Sequence, residues 1–194
     1  MVIKMIIAIV RHGETDYNKQ RLIQGRIDNV LNQTGKQQAK TLGEYLKANN
    51  ETFDVLLTSP LLRAKETAQI VGSHINLEIT KETDLLLERD FGPFEGKTVE
   101  DTLPFITKHA YKSKGYEDNE TLLKRMSDMV SAVHKTYNDK KVLMVAHAHV
   151  IKSLLILADF EKYDYINHFV GNSSIVYFDV TSDRISVIKQ IDLQ

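Results

Sequence analysis

The chain has no cysteine, three prolines, nine glycines and almost no net charge. Without cysteine there can be no disulfide, no thiolate metal site and no cysteine nucleophile. The few glycines and prolines form no Gly/Ser-rich linker, repeat or low-complexity block. The 194 residues, 42% of them hydrophobic, are therefore expected to bury one core as a single domain spanning 1–194. Lys and Arg number 25 against 26 Asp and Glu, a formal net charge of -1. The signs are interspersed and leave no basic stripe, so a nucleic-acid partner is not expected. Any concentration of positive charge must lie in a local site. The apolar run Met5–Val10 is too short to span a membrane and lacks the small-residue cleavage site of a signal peptide. No membrane association and a cytoplasmic location are the expectations.

Short runs rich in Val, Ile and Leu read as strands at Ile3–Val10, Asp54–Thr58, Lys141–Ala146, Ser174–Val180 and Ile185–Ile191. Residues 32–48 put Ala39, Leu42 and Leu46 on one helical face, with Asn32 or Thr34 as cap. Ser59-Pro60 offers a cap followed by proline, predicting a helix to about Ser73. Residues 119–137 carry Leu122, Met126, Met129 and Val133 at helical spacing, the methionines as core filler. Strands alternating with helices argue an α/β fold with a largely parallel sheet. The last two strands, joined by Thr181-Ser182-Asp183, read as a hairpin that makes the sheet mixed.

The strand Met5–Val10 breaks into Arg11-His12-Gly13-Glu14-Thr15, and ligands of open α/β sheets bind beyond the carboxyl ends of the strands. Three further segments follow in order: TSPLLRAKETA at 58–68, LLERDFGPFEG at 86–96 and VLMVAH at 142–147. With this ordered set the chain resembles the histidine phosphatase superfamily, in its phosphoglycerate mutase-like branch, over nearly its whole length. The resemblance implies a three-layer α/β sandwich, its mixed but mostly parallel sheet flanked by helices, with the active site at the carboxyl edge. It also implies hydrolysis of small phosphate esters through a phosphohistidine, with neither metal nor cofactor.

An attacking imidazole must be unprotonated near neutral pH, which its ordinary pKa of about 6.5 permits. His12 is the candidate, with Arg11 and Arg63 disfavouring its imidazolium form. The resemblance carries over Arg11, Arg63 and Asn18 as phosphate ligands, and arginine's planar fork suits phosphate better than lysine does. It places Gln24 and Gly25 against substrate, Glu88 as the acid that protonates the leaving alkoxide and then deprotonates water, and His147 as second donor to the phosphoryl group. Asp90 competes with Glu88, and Glu95 reads as structural. After His147 the family pattern has glycine, whereas this chain has Ala148 and then His149. Ala148 keeps the N–H that can face phosphate but resists positive φ. If a helix starts there, His147 and His149 diverge by roughly 200°, so His149 is expected to face away from the phosphoryl group. The segment 24–39 also lacks the usual proline and threonine, having Val30 and Asn32 instead. His74, His109, His134 and His168 match no motif and are expected to be surface or structural.

Three other readings stand beside the hydrolase. A mutase of the same family would need a phosphorylated primer such as 2,3-bisphosphoglycerate, but the short stretch from FEG to the helix at Asn119 favours access of water. His147-Ala148-His149 could start a metal site, although no third ligand has suitable spacing. A phosphate-binding module without turnover is the last, and the presence of His12, Glu88 and His147 speaks against it. Lys97–Tyr116, with Phe105 and Tyr111, is expected to cover the pocket, its aromatics serving either substrate or cap packing. The expected partner is a small phosphorylated molecule, with a homodimer left open.

Overall fold

A computed structural model describes residues 5–106, 108 and 111–193, so His109 lies outside the described residues. The strands are β1 Met5–Arg11, β2 Val55–Thr58, β3 Lys81–Glu82, β4 Lys141–Ala146, β5 Ile175–Val180 and β6 Ile185–Ile191. The helices are α1 Asp16–Lys19, α2 Gln33–Ala48, α3 Leu62–Ile75, α4 Val99–Ile106, α5 Asn119–Tyr137 and α6 Ala148–Ala158. The strands form one sheet in the order β3-β2-β4-β1-β5-β6. β1, β2, β3 and β4 pair in parallel, whereas β5 and β6 run antiparallel, so the sheet is mixed as expected.

Alternation along the strands sends side chains to two faces. Met5, Ile7 and Ile9 of β1 join Val142 and Met144 of β4 against Leu122, Met126 and Met129 of α5 and Ile151 and Leu154 of α6. Ala8, Val10, Leu143 and Val145 face the other way, onto Ala39, Leu42 and Leu46 of α2 and Ala64, Ala68 and Val71 of α3. Helices on both faces make the sandwich three layers deep. Because both faces are covered, the central strands read as continuous apolar runs, which is why they were legible. A third, smaller cluster of Ile23, Phe91, Ile106 and Tyr116 packs apart from the sheet.

Helix starts follow their side chains. Asn32 accepts from the Gly35 N–H and Asp118 from that of Thr121, capping α2 and α5. The third start differs from expectation. α3 begins at Leu62 rather than at Pro60, and its cap residue Leu61 makes no side-chain cap bond. Asp28, distant in sequence, accepts from the Leu62 N–H at 2.7 Å. Ser59 is thereby left for the site. The sequence reading also missed the two-residue edge strand β3, whose residues are exposed and carry no apolar pattern, and the short α1, closed by a capping box between Thr15 and Asn18. Among the described residues no helix is long and apolar enough to cross a membrane.

Candidate active site

Three adjacent parallel strands deliver three side chains at their carboxyl ends. His12 follows β1, His147 follows β4 and Ser59 follows β2, and β4 lies between the other two. The ladder runs one residue past the strands, since His12 N donates to Ala146 O and Ser59 N to Val145 O, each at 3.0 Å. The side chains therefore line up in register. The His12 and His147 rings lie 5.1 Å apart, and His147 Nε2 meets Ser59 Oγ at 2.8 Å.

The contacts of His12 fix its tautomer. Nδ1 lies 2.7 Å from Gly13 O, an acceptor only, so Nδ1 carries the proton. Nε2 accepts from Arg63 Nε at 3.2 Å, so it carries the ring's lone pair and is the nitrogen that could attack once that contact is given up. His12 is almost fully buried, and burial first, then Arg63 and Arg11, hold its imidazole well below the usual histidine range. The sequence argument named the two cations, but desolvation is the larger cause. Gly13 allows the approach of α2, because a Cβ there would run into the Gly35 carbonyl.

Arg63 is fully buried and its fork is nearly committed. Besides His12 it donates from Nη1 to Ile27 O and from Nη2 to Gly25 O, both at 2.8 Å. Gly25 has φ +53°, and Glu95 fills the space where a Cβ would go. Glu95 accepts from the Arg26, Ile27 and Phe91 N–H groups, which confirms its structural position. Arg11 donates to Val170 O at 2.6 Å while its Nε has no partner. Burial lowers both guanidinium groups to about 10, opposed by the charge of Glu88, so both stay cationic at neutral pH. Asn18 Oδ1 accepts from Thr15 and Asn172, and Gln24 Oε1 accepts from Thr15 Oγ1 at 2.8 Å.

These groups surround a cavity of about 550 Å³ whose lining includes Arg11, His12, Asn18, Gln24, Gly25, Arg63, Glu88 and Ala148, with apolar wall from Leu22, Ile23, Phe91, Val99 and Leu103. Eight of the nine expected site residues meet there. The ninth, His147, is fully buried and lies behind the wall. Its Nδ1 has no partner, and burial, Arg63 and His12 hold its pKa well below the ordinary value. Glu88 Oε1 accepts from Arg89 N at 2.8 Å and Oε2 from His149 N at 3.4 Å. Asp90 does not line the cavity; its carboxylate accepts from the Gly92 N–H and closes the turn.

Several expectations are corrected. Ala148 is the first residue of α6 and has no positive φ, so the missing glycine costs no strain. His149 does diverge from His147, yet the divergence carries it onto the cavity wall, stacked on Tyr165 at 5.2 Å and edge-on to Phe91 at 5.0 Å. His168 also lines the cavity. The aromatic question in the 97–116 cover divides: Val99 and Leu103 face the cavity, Phe105 is exposed, and Tyr111 packs on Phe94 and Tyr116. Sequence reasoning missed Ser59, assigned to a helix cap, and Lys152, which lines the cavity with Nζ on Tyr165 O. Helical spacing from Ala148 held the signal for Lys152. Among the described residues no three His, Asp or Glu side chains group as a metal site would require.

The family profile described as histidine phosphatase superfamily (branch 1) matches residues 7–192. The chain belongs to that superfamily. Its histidine phosphatase relatives include a Bacillus subtilis protein named uncharacterized phosphatase PhoE, 41% identical over 149 residues, covering 77% of this chain and 75% of that one. A Schizosaccharomyces pombe phosphoglycerate mutase is 31% identical over 173 residues, 78% of each chain. Among solved structures, the phosphoserine phosphatase of Entamoeba histolytica in complex with 3-phosphoglyceric acid superposes with a TM-score of 0.82 at 25% identity, covering 98% of each chain.

Proposed function

We propose that this histidine phosphatase is a single-domain phosphomonoesterase that transfers the phosphoryl group of a small ester to His12 and then to water. The observation that carries this is the His12 imidazole, with its proton held on Nδ1 by Gly13 O, its Nε2 lone pair met by Arg63, and the ring lining a cavity that also holds Arg11, Arg63 and Glu88.

In the first half-reaction His12 Nε2 bonds to phosphorus while the ester P–O bond breaks, and Glu88 gives the departing oxygen its proton. The spreading phosphoryl charge meets Arg11, Arg63 and Asn18, with the first-turn N–H of Ala148 at the positive end of α6. His147 supports from behind. With Nε2 engaged by Ser59, its Nδ1 is the ring nitrogen left to donate toward the transferring group. In the second half-reaction Glu88 takes a proton from water, the P–N bond breaks, and inorganic phosphate leaves with His12 restored. Each step uses groups that the fold has already oriented. Ile166 and Phe169 stand exposed at the cavity, so water can enter it, which favours hydrolysis over return of the phosphoryl group to a second hydroxyl.

The test is to trap the intermediate. Brief incubation with a radiolabelled phosphomonoester, followed by denaturation, should leave label on His12 that acid removes and base preserves. Label on serine or aspartate, or label retained in His12→Ala, refutes the mechanism.

A further inference from the structure

α6 lines the cavity with Ala148, His149 and Lys152. Lys152 follows Ala148 by one helical turn, so the two share a face and lie about 6 Å apart along the axis. Helical side chains lean toward the N-terminus, here the end where the Ala148 N–H meets the phosphoryl group in the proposed reaction. Among the described residues no other lysine lines this cavity. The remaining strong bases in its lining are Arg11, Arg21 and Arg63, and a guanidinium keeps its proton where a buried lysine can give one up.

Lys152 is half-buried, and its Nζ donates to Tyr165 O at 2.8 Å. That acceptor is a neutral carbonyl, and an uncharged amine can make the same bond, so the contact does not require the ammonium form. Burial first, and then Arg11, push Lys152 down to about 8; Glu88 and Asp164 oppose this without outweighing it, and Arg89 adds to the lowering. At pH 7.5 about a quarter of the amine is then unprotonated, against about a thousandth at the ordinary lysine value. A free amine of this kind is a nucleophile toward carbonyl carbon. The phosphoryl transfer gives Lys152 no part, so that reactivity stands unused in the cavity.

We propose that Lys152 captures phosphomonoesters that carry an aldehyde: the phosphate docks among Arg11, Arg63 and the Ala148 N–H, and the carbonyl carbon joins Lys152 Nζ as an imine. Only the seat of the phosphate rests on the phosphatase reading. The unprotonated Nζ bonds to the carbonyl carbon while the C=O π pair moves to oxygen, and a proton passes from nitrogen to that oxygen. The resulting carbinolamine loses its hydroxyl, which leaves as water with the second amine proton, and C=N remains. Neither oxidant nor reductant enters, and water reverses the step. Docking the phosphate makes the attack intramolecular, the source of high effective concentrations. The captured ester fills the cavity, so phosphorylated aldehydes act as slow, reversible inhibitors of turnover.

Pyridoxal 5′-phosphate is the probe, and pyridoxal, the same aldehyde without phosphate, is the control. Each is incubated briefly with the unaltered chain at pH 7.5, the imine is fixed with borohydride, and the labelled lysine is located by peptide mass mapping. Lys152 should be labelled at least about tenfold faster than any other lysine, as its larger share of free amine requires. Pyridoxal should label it at least about tenfold more slowly, and inorganic phosphate should protect it, because docking supplies the advantage. Lys152→Arg, checked for folding by circular dichroism, should lose both the imine absorbance and the inhibition that borohydride makes permanent. Labelling of Lys152 no faster than of other lysines, or as fast by pyridoxal as by its phosphate, overturns the capture. Turnover of p-nitrophenyl phosphate by the unaltered chain reports separately on the phosphatase reading.

Discussion

Acid should destabilise this protein before it silences the nucleophile. His12, His147 and His149 are all buried, and desolvation is the leading cause that holds each well below the ordinary imidazole value. In the unfolded chain each binds a proton with a pKa of about 6.5. Below that pH the unfolded state binds more protons than the folded one, so stability rises with pH and falls on acidification. Between about pH 7.5 and 5.5 each such histidine costs roughly 1.4 kcal/mol. The three together cost about 4 kcal/mol, set against a total stability of about 5–15 kcal/mol for a typical domain. Carboxylates contribute little in this window, because their ordinary pKa values of about 4 lie well below it. With a urea slope of about 2 kcal/mol per molar, the unfolding midpoint should fall by about 2 M across the window. His149→Phe should remove about a third of that dependence while lowering the midpoint little at high pH. The nucleophile of the molecules that remain folded should stay unprotonated across the same window, because burial, Arg63 and Arg11 hold His12 well below the ordinary value. An unfolding midpoint that is flat across the window would refute the reasoning, since none of these histidines would then be held neutral in the folded state.

Three further outcomes follow from the site. Arg63→Ala should lower kcat by about a hundred- to a thousandfold, and steady-state kinetics should show its acid limb moved to higher pH, because the second-largest cause of the depressed His12 pKa is gone. Glu88→Gln should impair alkyl esters far more than p-nitrophenyl phosphate, whose leaving group needs no proton; equal losses across a leaving-group series would make Glu88 merely structural. Ala148→Gly should leave turnover within about twofold and lower stability by up to about 1 kcal/mol, because Ala148 is already helical and glycine only adds backbone freedom; a clear gain in kcat by the same assay would restore the strain account.

The sheet was legible because its central strands are buried on both faces and leave unbroken apolar runs, as in VLMVA at Val142–Ala146. The ends of those runs located His12 and His147 in turn. What the sequence hid was set by contacts distant along the chain. Asp28 caps α3 from outside the helix, which shifts the start by two residues and frees Ser59 to bond His147. Local propensity has no view of such a partner. The angular argument about α6 was sound as far as it went, but direction has meaning only once the walls are placed. Phe91 and Tyr165 bring the cavity round to His149, and neither belongs to the helix.

The unsatisfied atoms of the site show how its rigidity is divided. Arg63 spends its fork on Gly25, Ile27 and His12, so the Gln24-Gly25 loop, the guanidinium and the nucleophile are held as one unit before any ligand arrives. Glu95 holds the same loop from below through three N–H groups, and the αL backbone at Gly25 leaves room for its carboxylate. Arg11 Nε and His147 Nδ1, by contrast, are buried with no partner. Leaving a polar group in this state costs on the order of 1–3 kcal/mol. Arg11 lines the cavity and the His147 ring lies 5.1 Å from that of His12, so in the proposed reaction a phosphoryl oxygen that satisfied these atoms would recover that cost. In the proposed reaction, then, the committed donors fix orientation and the uncommitted ones supply the drive to bind phosphate.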